Sequence, residues 1–116
     1  MIIVTSAGIR LKSEPPFRPT NDMSFRRIAQ TVPSSLLVPS HPTPVRRPAE
    51  QDLNVVFPRD RMAELATEGV IGSVAPFDLS FLGTIKKLTS LVSELAVEMV
   101  RAAREAEADA ALLVPL

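Results

Sequence analysis

The chain opens on Met1-Ile2-Ile3-Val4-Thr5-Ser6-Ala7, a short β-branched run closed by Gly8. Unbroken apolar character over so few residues, ended by a turn former, predicts a buried strand in a central position. A second run, Asp52 to Pro58 (DLNVVFP), leads into Arg59 to Glu68, where Met62, Leu65 and Ala66 share one helical face. Pro58 suits a first helical position and Gly69 a left-handed stop, so a helix is expected there. Val70 to Ala75 (VIGSVA) reads as a second apolar strand or strand-like turn. The strongest periodic signal follows. Ile85, Leu88, Val92, Leu95, Met99, Ala102 and Ala106 recur three and four residues apart, with charged side chains mostly on other faces, and predict a long helix. Ala110 to Leu116 closes the chain as a strand-like run.

Between the first strand and the first helix the pattern breaks. Eight of the 11 prolines fall between Glu14 and Pro48. Each fixes φ and removes a backbone donor, so no long helix fits and residues 14–50 are expected to be an irregular, Pro-rich segment. Within it Ser35 to Val38, between Pro33 and Pro39, suits one short strand, and Ser24 to Ile28 a single turn or extended piece. Strand, irregular loop, helix, strand, long helix, strand is the order of an α/β domain with a largely parallel sheet and flanking helices. We expect one domain, residues 1–116, incomplete at its C-terminus. In such sheets ligands sit beyond the carboxyl ends of the strands. That rule points to the loop after Ala7, the Gly72 to Gly83 connection and whatever follows Val114.

Composition narrows the function classes. No Cys is present, which removes disulfides, thiolate metal sites and a cysteine nucleophile from these 116 residues. The net charge is zero, against the cationic excess that phosphate backbones require, so no nucleic-acid partner is expected. The balance is uneven: residues 1–61 carry 9 basic and 5 acidic side chains, residues 62–116 carry 4 and 8. Either the two halves complement each other across one fold or the first presents a basic ligand face. No apolar run approaches the roughly 18 residues of a membrane span, and the N-terminus lacks the basic region and cleavage site of a signal peptide. A cytoplasmic protein without a membrane partner is the expectation.

Candidate chemistry is sparse. His41 is the one histidine, so it cannot build a metal cage, but it suits a general acid or base as well as an ordinary loop residue. Thr5, Ser6, Ser40 and Ser80 offer hydroxyls without a nucleophile-elbow sequence around any of them, as turn and strand-end hydroxyls also would. The glycines form no phosphate-loop or dinucleotide fingerprint. Arg26-Arg27, Arg46-Arg47 and Arg59/Arg61 suit a carboxylate or other anion, or pairing with Asp52 and Asp60.

One stretch is long and specific. Gln51-Asp52-Leu53-Asn54-Val55-Val56-Phe57-Pro58-Arg59-Asp60-Arg61-Met62-Ala63-Glu64-Leu65, continuing Glu68-Gly69-Val70-Ile71-Gly72-Ser73-Val74-Ala75, resembles the selenoprotein B family of glycine, sarcosine, betaine and D-proline reductases in its short bacterial form. Val4 to Gly8, Ser24 to Ile28, Ser40-His41, Ser80 to Gly83 and Asp109 to Pro115 agree in order. The resemblance implies an oxidoreductase component that acts on X-H and Y-H to form an X-Y bond, with a disulfide or dithiol as redox partner. A selenocysteine or cysteine would attack or reduce the carbon–nitrogen bond of an amine or amino-acid substrate, because the deprotonated form is the nucleophile. Other reductase components or a thiol reductant are the implied partners. His41, Asp52, Asn54 and Arg61 are the matching polar positions for site roles, although Asn54 and Arg61 equally suit capping and bracing of the loop-to-helix turn. Asp78 and Leu79 depart from the family pattern, which has a His or similar residue and a Tyr before Ser80-Phe81, and Thr84 to Thr89 lacks the usual Asp-Pro.

In the short relatives the strand ending Val114-Pro115 is followed by a Cys- or selenocysteine-bearing motif. We therefore expect a chain cut before its redox centre, by a UGA codon read as a stop or by a frameshift, and without reductase activity of its own. No catalytic residue or cofactor is assigned within the 116 residues. The alternative is a non-catalytic protein that associates through the 85–106 helix or an exposed sheet edge.

Overall fold

A computed structural model describes all 116 residues. Its strands are β1 (Ile2–Thr5), β2 (Arg10–Leu11), β3 (Arg26–Ala29), β4 (Leu37–Val38), β5 (Phe77–Ser80) and β6 (Ala111–Val114). Its helices are α1 (Arg46–Gln51), α2 (Arg59–Thr67) and α3, which starts as Leu88–Ser90, widens into a π turn at Leu91–Leu95 and continues as Ala96–Glu105. Four strands form one sheet in the order β3-β5-β1-β6. β1 runs parallel to β5 and β6, with Val4 beside Leu79 and Leu113, while β3 pairs antiparallel with β5. β2 and β4 make a separate antiparallel pair. The expected α/β class with a mostly parallel sheet and flanking helices is the observed one.

The opening strand is central because it is apolar on both faces. Ile3 packs with Ile9, Ile28, Ala49, Val56 and Phe57 on the side of α1 and α2. Ile2 packs with Ala75, Leu79, Ala102 and Ala106 on the side of α3. Each such buried Ile contributes about 1.5–3 kcal/mol by leaving water. Residues 14–50 hold no long helix, as their prolines require, but they do contain β3, β4 and all but the last residue of the short α1. No helix is long and apolar enough to cross a membrane.

One open reading is resolved and one expectation needs correction. Of the two readings of Val70 to Ala75, strand or strand-like turn, the structure shows a turn: Gly69 takes φ +77°, Val70 is 66% exposed, and the segment wraps to the start of β1, where the Ala75 amide donates to the Met1 carbonyl at 2.8 Å. The strand is β5, residues 77–80, whose apolar pattern is interrupted by Asp78. The long helix also departs from its regular stripe. The π turn, in which the Ala96 amide donates to the Leu91 carbonyl, inserts an extra residue. Positions before it rotate away from the sheet, so Leu95, Ala102 and Ala106 are buried while Leu88 and Val92 face solvent.

Candidate functional site at the strand ends

The carboxyl ends of β1, β5 and β6 lie together, and three hydroxyls brace them. Thr5 Oγ1 donates to the Val56 carbonyl at 2.8 Å, Ser80 Oγ accepts from the Ile9 amide at 2.6 Å, and Ser6 Oγ accepts from the Leu116 amide at 2.7 Å. These hydroxyls hold loops onto strand ends. The loop after β5 is Phe81 to Gly83, returned by an Ala7–Leu82 bridge and by the Gly83 amide on the Ser6 carbonyl at 2.9 Å. Residues 72–76 sit instead at the opposite end of the sheet, beside Met1, so of the Gly72 to Gly83 connection only the last part borders this site.

Gly8 makes the first turn possible. Its φ is +65°, and a Cβ there would stand 2.8 Å from Leu82 Cδ1 and 3.1 Å from Ser40 Cβ. Ser40 and His41 are drawn over this turn by backbone bonds to Ala7 and Gly8. Their side chains are left without partners: Ser40 Oγ, His41 Nδ1 and Thr43 Oγ1 are all shielded from solvent and make no hydrogen bond. Burial lowers the His41 pKa, which favours the neutral imidazole. A cleft of about 250 Å³ opens beside Ser40, lined also by Arg10, Phe17, Pro39, Arg46 and Leu82. Arg10 Nη1 is held by the carbonyls of Leu11 and Glu14, each at 3.1 Å, while its shielded Nε has no acceptor.

Asp52 and Asn54 fall in a second, larger cleft of about 590 Å³ on the other side of Pro39, which they share with Lys12, Ser34 and Asp60. Asp52 Oδ1 accepts from the Asn54 backbone amide and side chain, both at 3.0 Å, and these bonds, side chain first, hold its pKa below the usual carboxylate value. Asn54 Oδ1 accepts from the Asp60 amide at 3.2 Å, satisfying a free donor in the first turn of α2. Asn54 thus carries the bracing geometry. Arg61 lies outside both clefts, pairing with Glu64 at 3.0 Å on an exposed face. The four matching polar positions are therefore not brought to one point.

A buried polar relay was missed in the sequence. Arg59 is only 3% exposed; its Nη2 donates to the Ala29 carbonyl at 2.6 Å and lies 3.4 Å from Gln30 Oε1, and its guanidinium sits 5.6 Å from the Phe57 ring centre. Gln30 Nε2 donates in turn to Asp78 Oδ2 at 2.7 Å, and the Ile3 amide donates to Asp78 Oδ1 at 2.9 Å. Burial raises the Asp78 pKa, partly offset by the Ile3 amide and the Arg59 charge; burial also lowers the Arg59 pKa. The relay ties β1, β3, β5 and α2 together under the sheet. Its one signal was an acid inside an apolar strand.

Fold and site define an α/β domain that gathers polar loops at the ends of three parallel strands. Over 111 residues the chain is 32% identical to D-proline reductase subunit gamma of Acetoanaerobium sticklandii, an alignment that takes in 96% of this chain and 46% of the relative. The similarity supports kinship with a reductase family; the chain spans about half the length of the curated relative it matches. No family model and no solved structure matches the chain.

Proposed function

We propose that the chain forms the substrate-side part of a cytoplasmic reductase of the selenoprotein B kind, working with other reductase components. The observation that carries this reading is the 32% identity over an alignment that takes in 96% of the chain. The reaction is reductive cleavage of a carbon–nitrogen bond in a small amine or amino acid. The bond breaks, its carbon and nitrogen each gain hydrogen, and a dithiol supplies the two electrons and two protons as it becomes a disulfide. With no Cys in these residues, the attacking selenol or thiol comes from outside them. His41, whose backbone amide is bonded to the Ala7 carbonyl and whose Nδ1 has no partner, is the candidate for proton transfer beside this turn.

The test joins the 116 residues to the remaining half of D-proline reductase subunit gamma and adds that enzyme's other subunits and a dithiol. Dithiol-dependent loss of D-proline is expected from the chimera and none from the 116-residue chain alone. A chimera that melts cooperatively yet consumes neither D-proline, glycine, sarcosine nor betaine overturns the reading. A second reading, association without catalysis, draws on the exposed Val92, Val97 and Val100 of α3 and on Leu113, 69% exposed on the unpaired edge strand β6. Light scattering decides it, since a monomer at high concentration leaves that reading without support.

A further inference from the structure

We propose that the open flank formed by the outer edge of β6 and the neighbouring side of α3 docks a strand-and-helix unit from the remaining half of the reductase subunit. The proposal rests on the reductase reading for the identity of that half, while the shape and charge of the surface stand apart from it. β1 is bonded to β6 through the Ala110 and Val114 carbonyls, so by strand alternation the N–H and C=O groups of Ala111 and Leu113 point outward. β6 is the last strand of the sheet, and no strand pairs with them. The two sheet edges differ. The β3 edge carries Arg26 and Arg27, paired with Glu14 at 3.1 Å and Glu105 at 2.6 Å, and edge charges of that kind keep other strands away. β6, Ala111-Leu112-Leu113-Val114, carries no charge. An unguarded edge is a template for one more strand.

The side of α3 nearest that edge is apolar. Ala102 and Ala106 pack on Ile2 of β1 and Leu79 of β5, which sets the helix over those two strands and leaves β6 uncovered. Leu113, in register with Val4 on that face, is accordingly 69% exposed. Glu105 faces β3 through its pair with Arg27, and Ala96, about two and a half turns earlier, lies on the opposite flank of the helix, toward β6. There Val92, Ala96, Val97 and Val100 line an open groove of about 390 Å³. The π turn delivers Val92 to this groove by rotating it off the sheet-facing stripe, and such turns recur at functional sites. Leu113 and the groove therefore open on the same side of the molecule.

Spacing and charge select the occupant. A second copy joined β6 to β6 would cover the sheet edge, but each α3 sits over strands beyond β6. With strands about 4.8 Å apart the two helices would stand about 14 Å from each other, against roughly 8–10 Å for packed helices, and both grooves would stay empty. A strand added to β6, with its own helix over that strand and Leu113, sets helix beside helix at contact distance. Arg104 lines the groove without an ion-pair partner, whereas Arg101 is held by Glu98 at 2.7 Å. The docking helix is thus one that lays branched apolar side chains over Ala96 and sets a carboxylate against Arg104. The alignment takes in 46% of the relative, so more than half of that subunit lies outside it and can supply the unit.

The test compares the 116-residue chain with the chimera that joins it to the remaining half of D-proline reductase subunit gamma. In the isolated chain the Ala111 and Leu113 amides are expected to exchange freely with deuterium, while Leu112 and Val114 are protected by β1. In the chimera Ala111 and Leu113 are expected to gain at least about 100-fold protection, and melting to occur in a single transition. Leu113→Lys, Val100→Asp and Arg104→Glu alter exposed side chains, so each should move the melting temperature of the isolated chain by less than about 3 °C. In the chimera each should lower it by roughly 5 °C or more. Val70→Lys, at a similarly exposed valine in the turn after α2, should have no effect in either. Two independent melting transitions, freely exchanging Ala111 and Leu113 amides in a folded chimera, or losses no larger than that of Val70→Lys overturn the proposal. So does dimerisation of the isolated chain with protection of the same amides, which gives the surface to a second copy. Failure of the reductase reading looks different: the β6 edge is protected in a chimera that shows no turnover. A chimera that consumes D-proline while those amides exchange freely keeps the reading and discards this surface.

Discussion

Arg59→Met removes the cation of the buried relay while nearly preserving side-chain volume. The charged bond from Nη2 to the Ala29 carbonyl is 2.6 Å long and screened from water, and loss of such a bond costs about 1.5–3 kcal/mol. Loss of contact with the Phe57 ring adds about 0.5–1 kcal/mol. A total near 3 kcal/mol corresponds, for a domain of this size, to a fall of roughly 12 °C in melting temperature. The cost also depends on pH. Arg59 is one of the groups that oppose the upward shift of the Asp78 pKa, so its removal favours the protonated carboxyl more in the folded variant than in the native chain. The destabilisation is therefore expected to shrink as the solution is taken from about pH 7.5 to about pH 5. Urea unfolding of both proteins across that range measures it. A cost under about 1 kcal/mol, or one that is the same at both ends of the range, refutes the relay as a source of stability.

Asp78 gives a second pH test. Burial raises its folded pKa above the unfolded value of about 3.9, so its contribution favours folding below about pH 4 and is lost as pH rises through the raised pKa. The melting temperature of the native chain relative to Asp78→Asn should accordingly fall over that window, and a flat difference counts against it. Gly8→Ala combines a positive φ with a Cβ 2.8 Å from Leu82 Cδ1, so calorimetry should show a loss of about 1–3 kcal/mol. Asn54→Ala removes the acceptor at the start of α2 and should cost about 1 kcal/mol, whereas Arg61→Ala, which breaks only an exposed pair, should cost less than about 0.5 kcal/mol by the same measurement.

β1 was legible because apolar side chains serve both of its faces, and α2 because Pro58 and Gly69 bound an amphipathic segment. β5 was not, since Asp78 and Ser80 look solvent-facing until their partners across the chain, Ile3 and Ile9, are known. Val70 to Ala75 left strand and turn both open, because local apolarity does not decide between them. The π turn of α3 is likewise invisible to a count of threes and fours. At the site, Asp52 and Asn54 were visible as a local motif. The anchoring of Arg10 was not legible, because it is set by where the chain folds around the 11–14 turn.

The position of β1 also governs how the chain acquires its structure. Residues 2–5 are bonded on one side to residues 79–80 and on the other to residues 111–114. Pairings that span almost the whole chain are slow to form, because their loop-closure cost precedes their reward. At ribosomal speed the Ile2-Ile3-Val4 segment waits on the order of 10 s for its final neighbour. During that interval a β-branched, uncharged strand is without its mates and open to pairing with other chains. Yield on expression should therefore depend on chaperone supply and growth temperature more than on the thermodynamic stability of the finished fold.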